Sequence, residues 1–271
     1  MSESNQDKPG FSHPIRGTAE WAVALDCSLG CSHDCRYCYG RYEMVTRQKR
    51  LKAEDWIRIQ PLTQSKLGPV HLYPGQVMFP SNHDIVPENI EDCIRLLTDL
   101  LDAGNTVLIV SKPHLDCIGK LCTELASFRQ QILFRFTITA RDDQILSFWE
   151  PGAPLYTERR QSLMYAWKHG FTTSVSVEPM LDVGDVEAMV QELAPYVRHS
   201  IWLGLMRRIE QRVDMHIAGM EKAVEKIRGG QQPEAIRLLY QRLKDNPLIR
   251  WKESAKEIIG LALADKPGLD I

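Results

Sequence analysis

The 271-residue sequence lacks any apolar run of the roughly 18 residues needed to cross a membrane. Its polar start, residues 1–17, lacks the apolar core of a signal peptide. Neither sign of charge dominates, because 33 Lys and Arg face 35 Asp and Glu, and the net charge of -2 gives no overall attraction to nucleic acid or to an anionic membrane. We therefore expect a cytoplasmic protein with no membrane partner.

The sequence also lacks the cysteine pattern of a disulfide framework. Seven cysteines are an odd number, and a reducing compartment keeps thiols free. Four of them are crowded into one short segment: Cys27, Cys31, Cys35 and Cys38. The other three are expected to pack in the core: Cys93, Cys117 and Cys122. The spacing of the first group therefore needs a chemical explanation.

Short β-rich runs alternate with amphipathic helical patterns along most of the chain. The predicted strands are Trp21–Asp26, Val70–Phe79, Thr106–Val110, Ile132–Thr139, Thr172–Val177 and His199–Leu205. The predicted helices between them are Glu88–Ala103, Leu115–Phe128, Thr157–His169 and Val186–Leu193. Such alternation predicts an α/β fold with a parallel sheet, and right-handed crossovers would curl six βα units into a TIM-like partial barrel, (βα)6.

The strand pattern ends near residue 206, which predicts three parts. Residues 1–16 are a polar tail, residues 17–206 form the barrel, and residues 207–271 form a helical C-terminal extension that acts as a cap, a lid or an oligomer surface. The extension shows helical patterns at Glu234–Leu243 and Ala255–Leu263. The cysteine segment follows the first strand and so lies on the barrel face where such enzymes place their chemistry.

Cys31, Cys35 and Cys38 are separated by three and then two residues. A loop of this size can wrap one face of a compact iron–sulfur cluster and direct three thiolates at three irons. Cubane clusters usually take four cysteines. Three close ligands therefore leave one iron open to a substrate or cofactor.

A structural zinc site is the alternative interpretation of the same segment. Its ligands would be Cys27 and the three motif cysteines, with His33 as an additional candidate. Zinc ribbons usually pair two separated cysteine knuckles, and the sequence shows no second knuckle downstream. Cys27 fits either a fourth ligand or a buried thiol at the end of the first strand.

The C-x3-C-x2-C spacing, with Tyr37 directly before the last cysteine, resembles the signature of the radical S-adenosylmethionine (SAM) superfamily. The resemblance implies an open partial barrel, a [4Fe-4S] cluster on the three cysteines, and SAM bound at the open iron near Tyr37. It also implies an electron donor such as a flavodoxin or ferredoxin. The reduced cluster would split SAM into methionine and a 5′-deoxyadenosyl radical, which abstracts hydrogen from a substrate.

The same resemblance places SAM contacts at the ends of successive strands. The matching positions are Ser81, Asn82, Lys112, Thr137, Thr139, Arg141, Ser176 and Glu178. Lys112 and Arg141 would suit the cofactor's carboxylate, and the threonine hydroxyls would suit its ribose. The alternatives are a solvated surface lysine, simple β-propensity of the threonines, and a structural ion pair of Glu178.

Four stretches resemble the spore photoproduct lyase-like, or DNA repair photolyase-like, branch: GCSHDCRYCYGR, FPSNHDIVPEN, TVLIVSKP and residues 136–181. In that branch a cysteine after the second strand returns a hydrogen atom to the product radical. This chain has Ser81 at the matching place, and a serine O–H bond is too strong to release a hydrogen atom easily. The sequence therefore predicts the radical chemistry and leaves the substrate open, with nucleic acid among the candidates.

Two functions of other classes stay open on the sequence alone. One is a zinc-stabilised module that contacts nucleic acid through its C-terminal helices. The other is an iron–sulfur sensor that holds a cluster and does not cleave SAM. The sequence assigns no catalytic residue beyond the groups that would bind the cluster and the cofactor.

Overall fold

The computed structural model describes residues 20–63 and 68–263. The predicted polar tail, residues 1–16, lies outside this part of the chain, as do the first three residues of the predicted barrel. Among the described residues, no helix is both long enough and apolar enough to span a membrane.

Nine short strands are present in the described part of the chain. They are β1 Val23–Ala24, β2 Ser28–Leu29, β3 Gln60–Pro61, β4 Val77–Phe79, β5 Val107–Ser111, β6 Ile132–Thr137, β7 Thr172–Val177, β8 Ile201–Leu203 and β9 Ile249–Trp251. Seven of them form one sheet in the order β1-β4-β5-β6-β7-β8-β9, and every pair in it is parallel. Strands β2 and β3 form a separate antiparallel pair.

The helices lie between and after these strands. They are α1 Tyr39–Arg41, α2 Ile90–Asp102, α3 Leu115–Glu124, α4 Asp143–Trp149, α5 Tyr156–Lys168, α6 Val186–Leu193, α7 Ile209–Arg212, α8 Met220–Gly230, α9 Pro233–Leu243 and α10 Glu253–Ile259. A π-helix, Tyr42–Arg47, continues α1. Short 3-10 turns occur at Ala53–Asp55, Ala126–Phe128, Val183–Asp185 and Ala194–Tyr196.

The central strands are buried on both faces, and their sequences show why. Strand β5 reads VLIVS and strand β6 reads ILFRFT, with all residues of β6 buried. Near-continuous apolar runs are typical of parallel strands covered on both sides. Helix α2 supplies part of the cover, because its apolar side chains recur on one face and are buried there.

The predicted parallel α/β sheet is confirmed, and each of the six predicted strands contributes to it. The sheet is open, since β1 and β9 stand at its two edges and do not pair with each other. Strand β7 has its predicted bounds, β5 is shifted by one residue, and the other four predicted strands are shorter than expected. The largest difference is at β4, which excludes residues 70–76 and begins after Pro74 and Gly75, which are poor strand residues.

Several short elements were not predicted: β2, β3, α1 and the π-helix after it, together with β9 and α4. Strand β9 lies in residues 207–271, which we expected to be purely helical, and it pairs with β8. Three residues are too few for a periodic pattern to reveal. Helix α4 lies in a predicted loop; the Asp142 side chain begins it by accepting hydrogen bonds from the N–H groups of Gln144 and Ile145 at 2.8 and 3.4 Å.

Inside the barrel, Arg135 of β6 is paired with Glu20. Both side chains are almost fully buried, and two guanidinium nitrogens donate to the two carboxylate oxygens. Arg135 also donates to Ser174 Oγ at 3.0 Å and lies over the ring of Trp202. A charge can be buried in this way because its partner and its hydrogen bonds are buried with it.

Candidate active site at the carboxyl ends of the strands

The loop that carries the three motif cysteines begins after β2 and is supported by the segment before β3. Cys31 N–H donates to the Trp56 carbonyl at 2.8 Å. Gly30 has φ of +83°, and a Cβ on it would lie 2.3 Å from the Arg58 carbonyl oxygen. Only glycine fits this backbone and this close approach. The thiol of Cys38 accepts from Arg41 N–H at 3.4 Å and so begins helix α1.

A second segment holds the cysteine loop from the other side. Arg36 N–H donates to the Trp149 carbonyl at 2.9 Å, and Gly152 N–H donates to the His33 carbonyl at 3.0 Å. A Cβ on Gly152 would lie 2.2 Å from the Ser32 carbonyl oxygen. The turn after α4 is therefore packed directly onto the backbone of the motif.

All three motif cysteines line one cavity of about 400 Å³. Six of the other predicted site residues also line it: Tyr37, Ser81, Asn82, Lys112, Thr137 and Glu178. They come from the motif loop and from the carboxyl ends of four successive strands, β4 to β7. In parallel α/β sheets, ligands bind at this edge.

Three predicted site residues do not line this cavity. Arg141 forms ion pairs with Asp185 and Glu192 instead and lines a separate cleft. Thr139 is fully buried, and its hydroxyl donates to Glu150 at 2.8 Å. Ser176 is buried in β7. Alternation along a strand predicts on which face of the sheet a side chain lies. It does not predict whether that side chain reaches the cavity or is buried beneath it.

Ser81 and Asn82 are held by one carboxylate, that of Asp26. Both backbone N–H groups donate to it, at 2.7 and 2.8 Å, and so do the Ser81 hydroxyl and the Asn82 amide, each at 2.7 Å. A carboxylate that accepts four hydrogen bonds fixes its donors strongly. The segment after β4 therefore has a defined shape at the cavity wall.

Asp84 and Lys112 form a second charged group in the cavity. Asp84 also accepts from Ser111 Oγ at 3.1 Å and pairs with His33 Nδ1 at 2.8 Å. Burial alone would raise the pKa of Asp84, but the charges of Lys112 and His33 hold it well below its usual range. Burial alone would lower the pKa of Lys112, but Asp84 and Cys35 raise it well above its usual range. The lysine is therefore protonated near neutral pH.

Glu150 is a buried acid beneath the cavity that sequence reasoning missed. Its carboxylate accepts hydrogen bonds from Tyr37 Oη, from Thr139 Oγ1 and from the guanidinium of Arg159. Burial alone would raise the pKa of Glu150, but Arg159 and Lys112 keep it lowered. The sequence did contain a signal for this residue, the glutamate of the EPGAP stretch. A carboxylate between buried apolar residues needs a partner, so its position indicates a buried polar contact.

The thiols of the cavity fit an iron–sulfur cluster. None of the chain's seven cysteines is in a disulfide. Burial raises the pKa of Cys31, Cys35 and Cys38 above the usual thiol range, because a thiolate there has too little positive charge near it. Bound iron supplies that charge, and thiolates are its usual ligands.

Cys27 contacts a different set of groups. Its thiol lies 3.4 Å from Cys93 Sγ and 3.8 Å from His83 Nε2, and it lines another cleft. Cys31, His33 and Asp84 do place three potential ligand atoms within 4.8 Å of one another. Since the His33 ring is already paired on both nitrogens, at 2.8 Å to Asp84 and at 2.9 Å to His114, we interpret this group as a hydrogen-bonded cavity wall.

Comparison with known proteins identifies the fold. No family model matches the chain. "Uncharacterized protein ORF301" of Acidianus two-tailed virus is 25% identical over 187 residues, which cover 62% of this chain and 59%, less than two thirds, of that protein.

Solved structures of spore photoproduct lyase mutants are also similar. One covers 86% of this chain and 76% of its own, with a TM-score of 0.54 and 15% identity. Another, with dinucleoside spore photoproduct, covers the same shares with a TM-score of 0.50 and 16% identity. The chain therefore shares its fold with spore photoproduct lyase, an open partial barrel of the kind that the resemblance predicted.

Proposed function

We propose that this chain is a radical SAM enzyme in which Cys31, Cys35 and Cys38 hold a [4Fe-4S] cluster and the cavity beside them binds SAM. The proposal is supported above all by one observation: the three cysteines and the carboxyl ends of four successive strands line the same cavity. The fold shared with spore photoproduct lyase supports it further. When bound, the reduced cluster and SAM would together supply a 5′-deoxyadenosyl radical for hydrogen abstraction.

Lys112 is proposed to bind the carboxylate of SAM. Its side chain is only 12% exposed, it lines the cavity, and its raised pKa keeps it charged. A hydrogen bond from its backbone N–H and an ion pair from its side chain, both to Asp84, fix its position before the cofactor arrives. A fixed, partly desolvated cation attracts an anion more strongly than a mobile surface lysine does.

Polar groups elsewhere on the cavity wall are proposed to orient the rest of the cofactor. Thr137, at the end of β6, would bind the ribose through its hydroxyl, and Ser81 and Asn82 would bind the amino group; all three residues line the cavity. Glu178 follows β7 with a side chain 41% exposed, so its carboxylate can accept hydrogen bonds from a ligand. Tyr37 keeps its ring under Lys112 while its hydroxyl donates to Glu150.

The extension after residue 206 is proposed to form the rim of the substrate entrance. Leu205 and Met206 line the cavity and exclude water from its wall, and Arg212 lines the cavity beside them. Arg207 fixes this stretch by pairing with Glu253 and Glu257 of α10. The positive charge of Arg212 would suit an anionic substrate, and nucleic acid is one such class.

Anaerobic reconstitution tests the proposed function directly. The loaded protein is expected to contain about four irons per chain, to be brown, and to form 5′-deoxyadenosine from SAM when reduced by dithionite or by a flavodoxin or ferredoxin. Cys35→Ala is expected to lose the cluster and the product. Cys122→Ala, which changes a buried thiol outside the cavity, is the matched control and should retain both.

Each alternative function predicts a different result. A colourless protein with one tightly bound zinc would support a zinc-stabilised module. A brown protein that forms no 5′-deoxyadenosine would support an iron–sulfur sensor. Formation of 5′-deoxyadenosine by Cys35→Ala would rule out the proposed cluster ligands.

A further inference from the structure

The thiol pair Cys27 and Cys93 takes no part in the cavity described above. Cys27 lies at the end of the first strand region and Cys93 in the first turn of α2, and their Sγ atoms are 3.4 Å apart. Both residues are almost fully buried. A disulfide bond is about 2.05 Å long, so the two sulfur atoms have to approach by little more than an ångström to form one.

We propose that Cys27 and Cys93 form a dithiol site that exchanges with small neutral disulfides and closes reversibly into a Cys27–Cys93 disulfide. In this site Cys27 is the attacking thiol and Cys93 the resolving thiol. The site is separate from the proposed cluster ligands, and the inference does not depend on SAM cleavage.

An imidazole stands beside the attacking sulfur. His83 Nε2 lies 3.8 Å from Cys27 Sγ and 3.8 Å from a carboxylate oxygen of Asp26. Because both contacts are made by the same nitrogen, His83 Nε2 can take the proton of the Cys27 thiol while the Asp26 carboxylate stabilises the imidazolium that results. His83 is also oriented from its other nitrogen, which lies 3.0 Å from the Asp84 carbonyl.

The surroundings favour the thiolate of Cys27. The hydrogen bond from Cys93, together with the hydrogen bond and charge of His83, outweighs the effect of burial and lowers the pKa of Cys27 to about 6. Burial alone would lower the pKa of His83, but the bond to Cys27 raises it. The lowered pKa of Cys27 and the raised pKa of His83 both favour the same protonation state, a thiolate beside an imidazolium. Burial raises the pKa of Cys93, so this thiol stays protonated and donates a hydrogen bond to Cys27. That state suits a resolving thiol, which reacts only after Cys27 has formed a mixed disulfide.

A cleft of about 370 Å³ gives access to Cys27 from outside the main cavity. Pro61, Leu62 and Leu96 supply the apolar part of its lining, and the charged residues that line it are Asp92, Arg95 and Asp99. Arg95 pairs with Asp92 at 3.0 Å, so the carboxylate of Asp99 leaves the lining with a net negative charge, which disfavours an anionic reagent such as oxidised glutathione. A small neutral disulfide is therefore the class of reagent that fits.

The exchange is balanced in two steps. The Cys27 thiolate attacks one sulfur of a disulfide RSSR, the S–S bond breaks, and RS⁻ leaves and is protonated. Cys93 then loses its proton and attacks Cys27 Sγ, which releases the second RS⁻. The two cysteines lose two electrons in total, and RSSR gains them as two RSH molecules.

The experiment uses the full chain, purified without oxygen, and 2-hydroxyethyl disulfide as the probe. After a short incubation, acid stops the exchange, a maleimide labels the free thiols, and peptide mass spectrometry reports each cysteine. We expect the thiols of Cys27 and Cys93 to be lost together, with the two peptides joined and no mercaptoethanol retained. The internal control is Cys122, which is buried with no thiol partner and should be labelled.

Two variants sharpen the result. Cys93→Ser removes the resolving thiol, so it should retain one mercaptoethanol on Cys27. Cys122→Ser should behave as the unmodified chain does. Labelling of Cys27 and Cys93 to the same extent as Cys122 in the unmodified chain would overturn the proposal, and so would a mercaptoethanol adduct that persists there. Neither outcome depends on whether a variant folds or on whether SAM is cleaved.

Discussion

The ammonium group of Lys112 lies 3.5 Å from the carboxylate of Asp84, and the backbone N–H of the same lysine donates to that carboxylate at 2.8 Å. The lysine is thus held twice, through its side chain and through its backbone. Lys112 directly follows β5 and Asp84 lies in the segment after β4, so their pairing connects the carboxyl ends of these two strands. The proposed SAM site therefore has its positive charge in place without the cofactor.

The first prediction concerns this pair. Lys112→Met leaves Asp84 with less positive charge in a nearly buried position, and loss of one partner of a buried pair costs about 3 kcal/mol. The double variant Asp84→Asn, Lys112→Met should be more stable than the sum of the single losses predicts, with a coupling of about 1 to 3 kcal/mol. Urea unfolding of the four proteins measures the coupling. Strict additivity would show that the two groups act independently.

The second prediction concerns the buried acid beneath the cavity. In Glu150→Gln the guanidinium of Arg159, which is fully buried, loses its counter-charge. We expect the free energy of unfolding to fall by about 3–5 kcal/mol. Thr139→Val is the matched comparison, because it removes only one hydrogen bond to the same carboxylate and should cost about 1 kcal/mol. Equal losses in urea unfolding would contradict a central role for the ion pair.

The third prediction concerns the support of the cysteine loop. A methyl group on Gly152 would lie 2.2 Å from the Ser32 carbonyl oxygen and 3.0 Å from His33 Cα, so Gly152→Ala must displace the loop. We expect the iron content after reconstitution to fall several-fold. Gly119→Ala is the control, because nothing lies within 4 Å of a Cβ there and alanine suits helix α3. Full iron content in Gly152→Ala would show that the loop tolerates the shift.

The fourth prediction concerns pH. Burial alone would raise the pKa of Glu20, but the hydrogen bonds and charge of Arg135 lower it below the ordinary value. A lowered folded-state pKa adds stability above the unfolded-state pKa, about 4.3, and this stability is lost as the pH falls through the folded-state value. The stability difference between the unmodified chain and Glu20→Gln should thus be large at pH 7 and shrink in acid.

The control for the pH series is Glu91→Gln. Glu91 pairs with Lys120 at the surface, where its side chain is 69% exposed. An exposed pair of this kind adds little to stability, so the free energy of unfolding of this variant should equal that of the unmodified chain both at pH 7 and in acid. A difference for Glu20→Gln that stays constant across the pH range would show that the charge of Glu20 is not what stabilises the fold.

Part of the site was predictable because local spacing and strand position specify it. The separation of Cys31, Cys35 and Cys38 depends only on the chain, and their place after the first strand predicts the barrel face. The same reasoning predicted that Lys112 and Glu178, at the ends of other strands, would lie near them, and all five residues line one cavity.

Other parts were not predictable because they depend on contacts between distant segments. Asp26 and Ser81 are 55 residues apart in the chain, and Tyr37 and Glu150 are 113 apart. Arg141 was expected to reach the cofactor, yet the nearest carboxylates, Asp185 and Glu192, attract it elsewhere. No local pattern reports which acid a long arginine side chain will meet.

The sequence by itself determined the alternation of strands and helices, and with it the parallel sheet, because apolar periodicity and turn residues act over a few neighbours. It also determined the three thiols and their spacing. Only the tertiary structure decided which polar groups surround them, where Cys27 points, and that β9 extends the sheet. Those outcomes depend on how remote segments bury charge together, and the free energy of a buried charge depends on its partners rather than on its own type.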